Sequence, residues 1–415
     1  MNPATKFPSW AAALLFCAFG SAQAMESADA HGTGMAALKN YAKSLSGERK
    51  EAAGFLLANL PEMDRESLSV KLFRENLEEA YAARTTYPWT KALPKDLFFN
   101  DVLPHAVVVE TRAPWRRHLR TLFAPLLGDA RSVQDAARIV GANIGRLTGV
   151  KYNKNREKAC QSPTESMRQG MASCTGLSIL MIDSLRACGV PARMAAIPMW
   201  GTMDGNHTWV EIHDGETWRK TDFGGTPKRW DKGWAVARCA YSNPRLPIHG
   251  IFASTYRTTR IEFPMAWDWD FSQLKGRRIH LSDISREKRS PDGDLVALNW
   301  PLQRSFVPGI DRTAHYIALA GGPKLPIPRG SACVTVKAFK GATSERAAVP
   351  VRIFSGGRLL YQGQTASPDQ DLNDCIRLLC KPGPLRIEHQ TPDGKWIARE
   401  IKAKPNKETP VKISI

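Results

Sequence analysis

The segment His207-Thr208-Trp209-Val210-Glu211-Ile212 alternates strictly, with Thr208, Val210 and Ile212 on one side and His207, Trp209 and Glu211 on the other. That period marks a half-buried strand. It runs into His213-Asp214-Gly215-Glu216, whose Asp-Gly pair favours a two-residue hairpin turn, and then into a second strand ending at Asp222. Just upstream, Leu177, Leu180, Met181, Ile182, Leu185 and Cys188 put apolar side chains around most of a helix that Ser173 can cap and that Gly189 and Pro191 stop. A helix apolar on nearly every side must be surrounded. Such a helix is normally central to a core, so a residue at its N-terminal end is held rigidly and not on a mobile loop.

Chemistry-bearing residues fall at the ends of these elements. Cys174 stands at the first turn of the helix, where unsatisfied backbone N–H groups favour a thiolate and a nearby imidazole can complete its formation. If Asp214-Gly215 is the whole turn, Glu211 faces Trp218, Trp209 faces Lys220 and His207 faces Asp222. Directly opposed residues have Cβ atoms roughly 5 Å apart, close enough for a carboxylate to hold an imidazole nitrogen. Alone, each residue has an ordinary reading: most buried cysteines are inert, a strand histidine is usually structural, and an aspartate after a strand is usually a turn or cap. Nucleophile, base and orienting acid, in order and with a derived pairing, point to cysteine-based acyl transfer.

The string Ala172-Ser173-Cys174-Thr175-Gly176-Leu177-Ser178, the strand from Asn206 to Glu211 and the strand from Trp218 to Asp222 resemble the transglutaminase-like superfamily, which has a papain-like Cys-His-Asp core. The resemblance covers roughly residues 130 to 270. It is nearest to secreted bacterial members, in which a segment like Gly149-Val150-Lys151-Tyr152-Asn153 precedes one like Ser162-Pro163-Thr164-Glu165-Ser166. It implies an α+β core in which the Cys-bearing helix packs on an antiparallel sheet, with Cys174 as nucleophile, His207 as general base and then acid, and Asp222 as the residue that orients the imidazole. The Cys174 backbone N–H is one oxyanion donor, and Gln161 is the candidate for an upstream side-chain donor. Trp200 and Trp209 are candidates for substrate contact. No cofactor is implied.

With 415 residues, 43% of them hydrophobic, the chain can hold two or three domains. Lys6, the apolar run Ala11 to Phe19 and Ala22-Gln23-Ala24 read as a signal peptide over 1–24, so the mature protein is expected in the periplasm or outside the cell. No later stretch is long and apolar enough to anchor it. Residues 25–129 read as helical, with three- and four-residue apolar spacing over Ala52 to Leu60 and Leu68 to Ala83, and an irregular Pro-rich connection from Tyr87 to Pro104. Arg112 to Arg120 reads as an exposed amphipathic face in preference to a grip on an acidic substrate. The core is expected over 130–274, a linker and turn-rich segment over 275–330 and a small β-sandwich over 331–415, with Gly356-Gly357 and Asp393-Gly394 as hairpin turns.

Removing Cys17 with the signal peptide leaves seven cysteines, an odd number that suits one reactive thiol among disulfides. A local bridge is expected from Cys333 to Cys375 or Cys380. No Cys-x-x-Cys pair exists, which argues against structural zinc. A formal charge of +18 favours anionic envelope components as partners, alongside a protein or peptide substrate. Nucleic acid is not expected, since no recognition motif or basic-aromatic stacking surface is present. The rival class is a catalytically silent binding protein of the cell envelope that keeps the fold. A second enzymatic rival is removal of glycans from asparagine by the same three residues.

Overall fold

The computed structural model describes residues 32–202, 205–244, 249–263, 265, 307–343, 345–368, 370 and 374–415. The expected signal peptide, Trp267, Trp269 and the basic stretch from Lys275 to Arg289 lie outside the described residues. Among the described residues no helix is long and apolar enough to cross a membrane.

The helix Cys174–Ala187 is the centre of the larger part of the fold, and every residue from Thr175 to Ala187 is buried. The short parallel strands β1 (Lys151–Tyr152) and β2 (Met171–Ala172) precede it, strands β3 (Ala192–Ile197) and β4 (His207–His213) pack on one side of it, and the helices Val70–Thr86, Trp115–Phe123 and Val133–Thr148 on the others. Ile179, Leu180, Met181, Ile182 and Leu185 have no exposed surface, and each contributes roughly 2 kcal/mol by burial. Its C-terminal end follows the expected stop: Gly189 has φ +72°, and Trp89 Nε1 and Thr90 Oγ1 each donate at 3.0 Å, to the carbonyls of Cys188 and Gly189.

The sheet beneath the helix has six strands, all antiparallel, in the order β5 (Trp218–Thr221), β4, β3, β6 (Phe252–Ser254), β8 (Pro308–Asp311), β7 (Ile261–Glu262). Strand β8 and the helix Thr313–Leu319 fall within the span read from sequence as a linker, and both belong to the core instead. That span lacks a long apolar period, so the short strand β8 is not legible against the polar residues before it.

Two readings of the helical region also change. The connection from Tyr87 to Pro104 contains the short helices Pro88–Lys91 and Lys95–Asp101. Arg116, read as part of an exposed face, is 2% exposed and holds the N-terminal helices to the central one. Its guanidinium donates to Asn76 Oδ1, to the carbonyls of Val102, Leu103 and Pro104, and to that of Arg186. Five bonds to fixed acceptors satisfy a buried cation that an apolar pocket would expel.

Residues 332–414 form the expected sandwich. One sheet runs β11 (Arg358–Gln364), β10 (Pro350–Ser355), β13 (Gly383–Gln390), β14 (Trp396–Ala403), and the other β12 (Ile376–Cys380), β9 (Ala332–Phe339), β15 (Glu408–Ser414). Gly356-Gly357, at φ +53° and +80°, make the two-residue turn between Ser355 and Arg358. The expected disulfide is absent: Cys333, Cys375 and Cys380 carry no S–S bond. Cys333 pairs with Leu379 and Cys380 with Ala332, which puts the two thiols on opposite faces of the sheet. Cys375 is four residues from Leu379, about 13 Å along the strand, beyond disulfide reach of Cys333.

Candidate functional site

Cys174 is the first residue of the buried helix and is itself partly exposed, so the thiol lies where the core reaches the surface. Ser173 precedes the helix with extended backbone, but its hydroxyl donates to Ala159 O at 3.3 Å and makes no cap bond to the helix. The first-turn N–H groups are therefore left uncapped by Ser173, a setting that favours negative charge beside them. Gly176 keeps this turn close to its neighbours: a Cβ there would stand 2.9 Å from Ala172 Cβ and 3.5 Å from Gln161 Cβ.

His207 opens β4 and is buried. One contact ties the two elements together, Thr208 Oγ1 donating to Thr175 Oγ1 at 3.3 Å. The residues next in sequence to that pair are His207 and Cys174. Trp234, at the start of the helix Trp234–Cys239, covers the imidazole with ring centroids 4.7 Å apart. Trp200 and Trp209 pack against it at 6.3 and 5.8 Å and lie nearly parallel to each other. Read from sequence as substrate contacts, Trp200 and Trp209 are 2% and 1% exposed. Here they wall the histidine from behind. Trp234, half-buried, is the most exposed of the three, and no sequence period links it to His207.

The hairpin differs from the expected register. Pairs run Val210 to Thr221, Glu211 to Lys220, Ile212 to Arg219 and His213 to Trp218, so the loop is Asp214–Thr217, twice the expected length. Asp214 is the reason. Its Oδ1 accepts from the backbone N–H of Glu216 and Thr217, its own N–H donates to Thr217 O, and Arg219 Nε holds Oδ2 at 2.8 Å. The side chain builds the turn that a type I′ backbone would otherwise make. A shift of two residues preserves faces, so Asp222 stays on the His207 side of the sheet. Continued one residue past the ladder, the register sets Asp222 level with Trp209, making it a diagonal neighbour of His207 at a Cβ separation of roughly 7 Å. Its carboxylate is about half exposed and is ion-paired with the ammonium of the buried Lys220. Sequence reading did not single out Lys220, and the alternation that puts it opposite Glu211 was the available signal.

Gln161 is fully buried beside the start of the helix. Its Nε2 donates to Met171 O at 3.2 Å, which leaves one N–H, and Oε1 makes no hydrogen bond among the described residues. Among the described residues no group of three or more His, Cys, Asp or Glu side chains converges as metal ligation requires.

Behind the hairpin lies a charged group no sequence rule had flagged. Glu211, 1% exposed, accepts from Arg193 Nε at 2.7 Å, Arg312 Nε at 2.9 Å and Tyr316 Oη at 3.0 Å. Burial alone would raise its carboxyl, but the two guanidinium groups more than offset that and hold it below the ordinary glutamate value.

A thiol at the start of a buried helix, packed on an antiparallel sheet whose adjoining strand begins with a histidine, defines an α+β core of the helix-on-sheet kind. Residues 126–223 match the family model of the transglutaminase-like superfamily, and this part of the chain is a transglutaminase-like core. Comparison with curated proteins finds none that matches the chain.

Proposed function

We propose that the protein is an exported thiol-dependent enzyme that attacks amide bonds of protein or peptide substrates, with Cys174 as nucleophile, His207 as base and then acid, and Asp222 as the orienting carboxylate. The observation that carries the reading is the Thr175–Thr208 contact, which sets the thiol-bearing helix start beside the imidazole-bearing strand start. The Cys174 thiolate adds to the carboxamide carbon, His207 delivers a proton to the departing amine, and the acyl-enzyme is resolved when the same imidazole takes a proton from the incoming nucleophile. The backbone N–H of Cys174 and the remaining N–H of Gln161 are the candidate donors to the oxyanion.

Hydrolysis is favoured over transfer to a second amine. Asp222 is half exposed and the thiol is partly exposed, and a site open to water lets water resolve the acyl-enzyme. The exported character rests on the residues of the expected signal peptide, and the bacterial character on the resemblance of the segments from Gly149 to Asn153 and from Ser162 to Ser166. The rest of the reading rests on the core alone.

Site-resolved iodoacetamide labelling of the full mature chain tests it. Cys174 is expected to alkylate fast at pH 6, where an ordinary thiol with a pKa near 8.5 is almost wholly protonated, and to lose that advantage in His207→Ala. Slow labelling of Cys174 with no dependence on His207 would favour the silent binding protein, with the basic surface and the sandwich as its working parts.

A further inference from the structure

Trp209 leaves β4 on the same side as His207, and the group that fixes its ring comes from outside the matched segment. Trp209 Nε1 donates to Tyr316 Oη at 2.7 Å, and Tyr316 Oη donates to Glu211 Oε1 at 3.0 Å. Tyr316 is fully buried on the helix Thr313–Leu319 and meets the Trp209 ring edge-on at 5.1 Å. Arg312, just before that helix, donates to the same Glu211 oxygen, while Arg193 takes the other. With two guanidinium groups on it Glu211 stays ionised, and burial beside that charge keeps the tyrosine protonated. The direction of the chain is thereby settled, from indole N–H to phenol and from phenol O–H to carboxylate.

The chain ends on the imidazole. Trp209 stands 5.8 Å from His207, and Trp200 lies nearly parallel to Trp209 at 6.5 Å and packs on His207 at 6.3 Å with the rings 27° apart. An indole has no freedom to rotate once its N–H is bonded and its faces are packed, so one hydrogen bond fixes the surface against which the histidine ring rests. We propose that Tyr316 is a positioning residue for His207, acting through Trp209, and that the reactive core is complete only with the segment 308–319 that carries it. The inference rests on the thiol–imidazole reading of the site.

Tyr316→Phe keeps the ring and its packing and removes only the hydroxyl, leaving the Trp209 N–H unpaired and Glu211 Oε1 with Arg312 as its remaining donor. The test follows Cys174 alkylation by iodoacetamide from pH 5 to 9 in the full chain, reading the Cys174 peptide by mass spectrometry, for wild type, His207→Ala, Tyr316→Phe and Arg312→Ala. Tyr316→Phe is expected to label roughly tenfold more slowly at pH 6, the size of one lost buried hydrogen bond, yet at the wild-type rate at pH 9, where thiols ionise without help. A profile that superimposes on wild type in a folded Tyr316→Phe overturns the proposal. Should that variant not fold, Arg312→Ala decides: it frees the Glu211 oxygen that holds Tyr316, so a smaller loss in the same direction is expected, and superposition overturns. A wild type that labels at an ordinary rate whatever stands at position 207 removes the thiol–imidazole reading itself, and is told apart from superposed profiles that are all fast at pH 6.

Discussion

The ammonium of Lys220 is bonded to the carboxylate of Asp222, the residue proposed to orient His207. Lys220 is 2% exposed, so its charge is poorly screened, and it offsets the negative charge that Asp222 would otherwise present to the imidazole. Lys220→Met fills the buried site with an apolar chain of similar length and releases Asp222. The imidazolium is then better stabilised, and the thiolate–imidazolium pair should persist to higher pH. The loss of the His207 imidazolium proton, followed by NMR of the ring, is expected to move up by about one pH unit, within the range an opposite charge produces at close distance. A His207 titration that stays in place in a folded Lys220→Met would show that Asp222 does not act on His207.

The turn that follows Asp222 rests on the helix Val133–Thr148 through two glycines. A Cβ on Gly141 would stand 1.9 Å from Gly225 O, and Gly225 N donates to Asp222 O at 2.7 Å, closing the turn. Gly141→Ala gains about 1 kcal/mol of helix propensity against an overpacking cost of about 1–3 kcal/mol. Stability should therefore fall by about 0–2 kcal/mol while the turn and Asp222 move. Alkylation of Cys174 at pH 6 is expected to fall about tenfold with a melting shift of only a few degrees. Gly145→Ala, one turn along, where the nearest heavy atom to a new Cβ is 3.8 Å away, serves as the control and should be neutral or stabilising.

How much of this was legible in the sequence follows from which interactions are local. The helix from Cys174 announces itself because its apolar residues, Gly189 and Pro191 all lie within one short segment. The alternation from His207 to Ile212 likewise fixed the strand and its faces. The register was misjudged because a backbone turn rule cannot weigh Asp214, whose carboxylate substitutes for the turn, and the error left faces intact only because the shift was even. The tryptophans around His207 come from three elements, Trp200, Trp209 and Trp234, and nothing local joins them. Arg116 looked exposed because its neighbours Arg117 and Arg120 share the charge, yet those two pair with Glu79 while Arg116 turns inward to carbonyls 12 to 70 residues away. Burial of an arginine is set by acceptors that only the tertiary fold supplies.

Arg116 should accordingly be among the costliest positions to alter. Arg116→Met removes the donor to four carbonyls and the Asn76 amide while keeping most of the volume. At about 1–3 kcal/mol for each buried acceptor left without a partner, partly relieved by relaxation, a loss of about 4 kcal/mol or more is expected in urea unfolding. Arg116→Lys should recover little of it, because a compact ammonium with three donors cannot reach acceptors arranged around a planar fork. Full recovery by lysine would mean that charge alone, and not the fork, holds the helices together.

Acid should destabilise the helical region through His105 before it reaches Asp64. His105 is 3% exposed, with Nε2 2.9 Å from Asp64 Oδ2. Burial drives its imidazole below the ordinary histidine value even though Asp64 pulls the other way. The geometry agrees, since Nδ1 is buried and makes no hydrogen bond among the described residues, so a second proton there would have no acceptor. Neutral His105 therefore donates from Nε2 to an Asp64 carboxylate whose charge is balanced by Arg112 at 2.9 Å. Burial alone would raise Asp64, but His105 and Arg112 more than offset it and hold the carboxyl low. Both groups have a folded pKa below the unfolded one, so each contributes stability that is present above its unfolded value and lost as the pH falls through the folded one. The first loss should begin below about pH 6.5 for His105 and the second below about pH 4 for Asp64. His213, His315 and His389 are also depressed by burial and add to the first window, but less, being only partly buried. His105→Gln keeps an N–H donor toward Asp64 and cannot titrate. Its stability should run flatter than wild type between pH 7 and 5, where the slope a single proton can impose is at most about 1.4 kcal/mol per pH unit. Equal slopes in urea unfolding of the two chains across that window would assign the acid sensitivity to other groups and leave His105 protonated in the fold.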